Sequence, residues 1–254
     1  MSSLELALID LVIANRVLAH IGAVDAYGHV SLRHPVKQDH FLLSCSRAPE
    51  LVELSDIMEL DRGGNVVGAD NRPPYMERAI HTAIYAARPD VSCVAHGHAR
   101  VLIPFTVTSL AMRPVFLTSD EIGAHVPVWD IRRRFGDSTD MLIKEMDHGA
   151  DLAATLGQEG RVVLLRGHGF VAAARSASHM IRLCRALLDN AAVQLEAMRY
   201  GEVNELTAGE ISARRATMAD DDAPGVLRSF EHDAIKAGLG HLLERRRALK
   251  SAGH

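Results

Sequence analysis

Three histidines carry the chemistry that this chain can offer. His96 and His98 stand in CVAHGHAR, and His168 stands in VVLLRGHGF. Each motif follows an apolar run of strand character, VSCVA before the first and RVVLL before the second. Alternate residues of a strand share a face, so His96 and His98 can point the same way around Gly97. A third imidazole from another strand end completes a facial set of nitrogen ligands. Such a set holds a divalent cation and leaves positions open for substrate. The chemistry expected of it is Lewis-acid catalysis. HGH alone is a weak signal, because a chain with 14 histidines produces such pairs by chance. The glycine-flanked setting of His168 and the nearby Glu77 strengthen it. His20, His34, His40, His232, His241 and His254 lack such a setting and are expected at the surface.

Glu77 opens the helical stretch before the HGH strand. It has two readings: an acid favoured by a helix N-terminus, or a fourth ligand that also carries a proton. His81 lies one turn later on the same helical face, where it either orients Glu77 or fills the core. Asp120 and Glu121, in the turn TSDE, are either solvated loop acids or outer partners and proton shuttles of the site. Two loops can receive anionic oxygens: GHVSLRHP, with Ser31 and Arg33, and SCSRAP, with Ser44, Ser46 and Arg47. Arginine grips carboxylates through paired hydrogen bonds. Arg47 is the preferred substrate clamp and Arg78 the weaker candidate, against the plainer reading of surface arginines.

The elements that must position these residues follow from pattern. Apolar spacing predicts a helix over residues 3–21, ended by Gly22. Short strands are expected after Gly28, at 41–45, and as a pair around the glycine turn of 57–68. A helix is expected over 75–87, between Pro73-Pro74 and Pro89, then a buried strand through HGH and a short helix at 99–107. Residues 113–128 read as strands and turns, 137–156 as helix, and 161–174 as two strands around His168. A long helix over 176–200 begins at Ser176 or Ser178 and stops at Gly201. The remaining residues read as polar helices broken at DDDAPG. Helices and strands that alternate through short connections predict an α/β layered domain. The division expected is one domain carrying the metal site over 1–202 and a helical extension over 203–254.

Bulk properties narrow the classes. The chain has 254 residues, 48% hydrophobic and 24% charged, enough for a sizeable core. A net charge of −4 supplies no field for nucleic acid, and the RRR triplets at 132–134 and 245–247 read as solvated helix faces. Three cysteines without a CxxC pair imply no disulfide framework. A reducing, cytoplasmic setting is expected, with neither signal peptide nor membrane span.

Order and spacing of these pieces together resemble the class II aldolase/adducin family. The resemblance runs from about residue 5 to residue 202 and includes Gly28 to Arg33, the Glu77 helix, ARPDV with its HGH strand, RGHG and VQLEAMRYG. It implies a three-layer α/β/α fold with a central, mainly antiparallel or mixed sheet. It also implies a homotetramer with active sites between subunits. It assigns His96, His98 and His168 to a divalent metal, zinc or manganese with iron or cobalt as alternatives, and Glu77 to ligation and proton transfer. Sugar-phosphate aldolases of the family carry asparagine where this chain has His29. They also carry a serine pair where it has Tyr75 and Met76, and a serine-glycine loop where it has SCSRAPELV. The hydroxyls that cradle phosphate are gone.

GHVSLRHP, LLSCSRAPELV and YMERAIHTAIYAARPDV are similar instead to decarboxylases of hydroxylated aromatic or pyridine dicarboxylates, enzymes of aromatic-compound catabolism. Both reactions break a C–C bond and leave electrons beside a metal-held oxygen, as an enolate-like species. The resemblance then implies that Arg47 fixes a carboxylate and that Glu77 or His29 supplies the proton. Alternatives are an aldolase for a non-phosphorylated hydroxy-carbonyl compound, an iron oxygenase of aromatic pyruvates, and a non-catalytic adducin-like module. The last conflicts with the retained histidines and Glu77.

Overall fold

Residues that alternate along the strands fall into two separate apolar clusters, one on each face of a single sheet. The computed structural model describes residues 2–218 and 223–252. Its seven strands are β1 (His29–Arg33), β2 (Phe41–Ser44), β3 (Ile57–Leu60), β4 (Cys93–Gly97), β5 (Val128–Trp129), β6 (Val162–Leu165) and β7 (Gly169–Ala174). They lie in the order β3-β2-β1-β4-β7-β6-β5. Every pairing is antiparallel except β5 with β6. The sheet is therefore mixed and mainly antiparallel, as expected.

The helices are α1 (Ser2–His20), α2 (Ala79–Ala87), α3 (Ile103–Val107), α4 (Arg132–Phe135), α5 (Met146–Leu156), α6 (Ala177–Ala197), α7 (Ala208–Thr217), α8 (Pro224–Lys236) and α9 (Gly240–Ala252). Val30, Leu32, Leu42, Ala95, Phe170 and Ala172 face α1 and α6, and bury Leu11, Val17, Met180 and Leu187 with them. Phe41, Leu43, Val94, Val171 and Ala173 face α2 and α5, and bury Ile80, Ile84, Leu152 and Leu156. A fully buried side chain of this kind contributes about 1.5–3 kcal/mol. Helices on both faces of the sheet give the three layers.

Helices α8 and α9 join the first core through Phe230, Ala234, Leu242 and Leu243. Ion pairs Arg185–Asp233 and Arg246–Asp10 tie them to α6 and α1. Part of the DDDAPG break and the expected surface residue His254 lie outside the described residues. His34 departs from its expected surface position: it is buried, and its Nδ1 accepts the N–H groups of Val36 and Lys37.

Polar side chains explain where strand and helix expectations fail. After β3 the chain makes only a bridge from Leu60 to Val66, because the Asp61 carboxylate accepts the N–H groups of Gly63 and Asn65 and closes a turn. The helix expected from 137 begins at Met146; Thr139 and Asp140 bond the N–H groups of Met141 and Leu142 instead. Between 110 and 127 no strand forms. There Asn190 and Gln194 of α6 satisfy backbone groups of Ala111, Arg113 and Val115. Ser176 caps α6 by accepting the His179 N–H.

Candidate active site

Register brings the site together. His96 on β4 pairs with His29 on β1, and Gly97 pairs with Phe170 on β7, immediately after the turn that holds His168. Close backbone approach demands the glycines. A Cβ on Gly97 would sit 2.3 Å from the Ala23 carbonyl oxygen, and one on Gly169 would sit 2.1 Å from the Gly97 carbonyl oxygen. His98 thus lies beside His168, with ring centroids 4.9 Å apart and planes 12° from parallel.

Glu77 reaches the same point from the 3-10 turn Met76–Arg78 that leads into α2, at φ −89° and ψ 22°. This bridge region is sparsely populated and recurs at active sites. Its Oε1 accepts the Ile143 N–H at 2.9 Å, and its Oε2 lies 3.5 Å from His96 Nε2 and 3.8 Å from His168 Nε2. The irregular 137–145 segment therefore contributes directly to the site by orienting this carboxylate.

Donor atoms of Glu77, His96, His98 and His168 all lie within 4.8 Å of one another. Outer bonds fix the tautomers of His96 and His98. His96 Nδ1 donates to the Phe170 carbonyl at 2.9 Å, and His98 Nδ1 to the Asp25 carboxylate at 2.8 Å. Their inward Nε2 atoms are then bare lone pairs. His96 Nε2 is buried 3.5 Å from Glu77 Oε2, while the Nε2 atoms of His98 and His168 face each other at 3.0 Å. Inward lone pairs beside a carboxylate repel one another unless a cation lies among them, so these residues fit a divalent metal ion. Burial alone would raise the Glu77 carboxyl, but the hydrogen bond and charge of His96, the Ile143 N–H and His168 outweigh it and bring it to about 2. Burial, and then the neighbouring His96, pull His168 down to about 4. Glu77 is thus set as an anion and His168 as a neutral imidazole.

Beside it lies a cleft of about 520 Å³, whose lining includes Asp25, His29, Ser46, Arg47, Tyr75 and Glu77. Arg47 gives its Nε to the Leu51 carbonyl at 2.8 Å and pairs with Asp56, yet keeps an exposed guanidinium edge. The Tyr75 hydroxyl donates to the Arg47 carbonyl and so holds the SCSRAP loop against the Glu77 turn.

Other expected site residues lie elsewhere. Ser31 is buried behind His29, bonded to His81 and Tyr85, and does not line the cleft. Arg78 donates to the carbonyls of Gly64 and Tyr75, which joins the glycine turn to α2 and leaves it outside the cleft. Asp120 and Glu121, expected as loop acids, are buried among Arg161, Arg182 and Arg214, where α6 and α7 meet the 117–121 turn. Burial, and then Glu121, raise the Asp120 carboxyl. Asp25 was not among the expected site residues. Its bond to His98 spans 73 positions, which no local motif announces.

The pattern of the family described as Class II Aldolase and Adducin N-terminal domain matches residues 9–195. The chain belongs to this family, and its standing beside decarboxylases makes it an enzyme. It is 35% identical to decarboxylase tropJ of Talaromyces stipitatus, over 69% of this chain and 70% of that one. It is 30% identical to 3,4-dihydroxyphthalate decarboxylase of Arthrobacter keyseri, over 67% and 70%. The aldolase II superfamily protein of Pseudomonas syringae shares the fold, with a TM-score of 0.75, 23% identity and 93% of each chain covered. Among the described residues, no helix is long and apolar enough to cross a membrane.

Proposed function

We propose that this enzyme is a divalent-metal-dependent carbon–carbon lyase that decarboxylates a hydroxylated aromatic or pyridine dicarboxylic acid. The carrying observation is a ligand set of Glu77, His96, His98 and His168 at the wall of a cleft that also presents Arg47, Tyr75 and His29. Zinc, manganese, iron or cobalt suits three imidazoles and a carboxylate. When bound, such an ion supplies Lewis-acid polarisation of a substrate oxygen. Arg47 grips the carboxylate that stays on the ring, through the guanidinium edge left free by Leu51 and Asp56. Ser46 adds a hydroxyl on the same loop. Tyr75 and Met76, where sugar-phosphate aldolases carry serines, replace a phosphate cradle with a surface suited to an aromatic ring. Glu77 or His29 supplies the proton that takes the place of the departing carbon dioxide.

The relatives named decarboxylases support this reaction class over aldol cleavage of a non-phosphorylated hydroxy-carbonyl compound. Tyr27 is 77% exposed and Met76 58% exposed at the cleft, as suits sites completed by a neighbouring subunit of a homotetramer. The role of Asp120 as proton shuttle has no support from its arginine surroundings. The test is metal analysis of pure protein, then a carbon dioxide assay over hydroxylated phthalates and pyridine dicarboxylates, with and without chelator. Metal-dependent carbon dioxide release is expected. Cleavage to an aldehyde without it would sink the decarboxylase reading and restore the aldolase one, and strict dependence on oxygen would favour the oxygenase.

A further inference from the structure

Behind the cleft runs a buried hydrogen-bonded chain that the proposed reaction does not use. His29 Nδ1 meets His81 Nε2 at 2.6 Å, His81 Nδ1 meets Ser31 Oγ at 2.6 Å, and Ser31 Oγ meets the Tyr85 hydroxyl at 2.8 Å. All four residues are buried, with Ser31 and His81 fully so. Each contact holds a single proton, so a ring nitrogen that accepts in one of them is bare. A chain of single protons has a direction, and its far end sets it. A phenol is a stronger donor and weaker acceptor than an alcohol, and the Arg33 guanidinium 4.7 Å over the Tyr85 ring strengthens the donor further. The alternative acceptor for Tyr85, the Ser92 carbonyl, is at 3.4 Å, against 2.8 Å for Ser31. Tyr85 therefore donates to Ser31, Ser31 to His81 Nδ1, and His81 Nε2–H to His29 Nδ1. The one proton of His29 is left on Nε2, the ring nitrogen outside this chain, on a residue that lines the cleft, while Tyr75 and His96 pack on the ring at 4.6 and 5.1 Å.

We propose that Tyr85, Ser31 and His81 are positioning residues that lock His29 in its neutral Nε2–H tautomer, so that His29 donates a hydrogen bond to an anionic oxygen of the substrate. The proposal rests on the reading of the cleft as a site for an aromatic carboxylate. It divides the labour left open above. His29 can release its Nε2 proton only as an imidazolate, or by drawing protons along the chain and leaving a Tyr85 phenolate, which burial opposes. The proton of the reaction therefore passes through the Glu77 carboxylate, which takes it from the substrate hydroxyl and returns it to the ring carbon. The orienting hydrogen bond falls to His29.

Long-range nitrogen–proton NMR of histidine-labelled, zinc-loaded protein tests the tautomer. Hydrogen on Nε2 and a bare Nδ1 are expected at both His29 and His81, and hydrogen on Nδ1 of His29 would overturn the proposal. Calorimetric titration of the same protein with phthalate tests the consequence. Ser31→Ala, which breaks the chain, is expected to weaken binding about tenfold, the worth of one charge-assisted hydrogen bond. Ser31→Thr, which keeps the hydroxyl, is expected to bind as the unaltered protein does, with equal zinc content in all three. Equal phthalate affinity in Ser31→Ala, or no phthalate binding by the unaltered protein, would count against it. Should Ser31→Ala fail to fold, the tautomer in the unaltered protein decides. Absence of decarboxylation with the expected tautomer and phthalate affinities would remove the proposed reaction and leave the donor role standing.

Discussion

Glu77 joins the metal cluster through one oxygen and the backbone of Ile143 through the other. Glu77→Gln has one carbonyl oxygen in place of two, so it can keep the Ile143 bond and leave three imidazoles for the cation, but it cannot carry a proton. Turnover is expected to fall by about 10²–10⁴-fold, the usual worth of general acid–base catalysis, with metal content nearly unchanged. Paired metal analysis and kcat measurements check it, and unimpaired turnover would remove Glu77 from the mechanism. Asp25 touches the cluster through His98 and also accepts the N–H groups of Tyr27 and Gly28. Outer partners of this kind typically contribute 10- to 100-fold in metal affinity, so Asp25→Asn is expected to weaken zinc binding by about that factor in a chelator competition. Residue types at HGH, RGHG and Glu77 were legible because each ligand sits in a local motif. Asp25 and Tyr85 were not, since their partners come from other strands and helices through the fold.

Elements decide whether the ligands converge. Antiparallel register of β1, β4 and β7 sets His29, His96 and the His168 turn side by side, and glycine at 97 and 169 lets the backbones touch. Gly169→Ala would place a methyl 2.1 Å from the Gly97 carbonyl oxygen and push the His168 turn away from His98. Loss of tight metal binding together with a lower melting temperature is the expected result. An alanine variant that binds zinc normally would show that the approach is less constrained than its geometry implies. Strand and helix periodicities exposed most of these elements. They failed at 61–68, 113–127 and 137–145, where Asp61, Asn190, Gln194 and Asp140 bind backbone groups that would otherwise extend a strand or helix.

At the scale of the molecule, buried neutral histidines couple stability to pH. Burial brings His81 down to about 3. An unfolded histidine titrates near 6.5, so the stability that goes with neutral His81 is present above that value and is lost as pH falls toward the folded one. Metal-free protein is expected to lose about 2 kcal/mol from His81 alone between about pH 7 and about pH 5, as read by urea unfolding. An unchanged midpoint would mean that His81 is already charged in the native state. The C-terminal helices offer a second test. Phe230 is 1% exposed in the core shared with α1 and α6, so Phe230→Ala is expected to cost about 3–5 kcal/mol. A chain ended at residue 202 is expected to be soluble only if 1–202 folds as a unit, as the domain division proposes.

The sequence alone determined the candidate ligand types, the α/β class and the likeness to a family with decarboxylases, because each is written in residues close together along the chain. Tertiary structure decided which acids and hydroxyls serve the site. Asp120 and Glu121 went to arginines on α6 and α7, and Ser31 went behind His29 instead of to the cleft. A buried polar group must find its partner wherever the packed elements bring one, and that choice depends on register and helix docking, which no local pattern encodes.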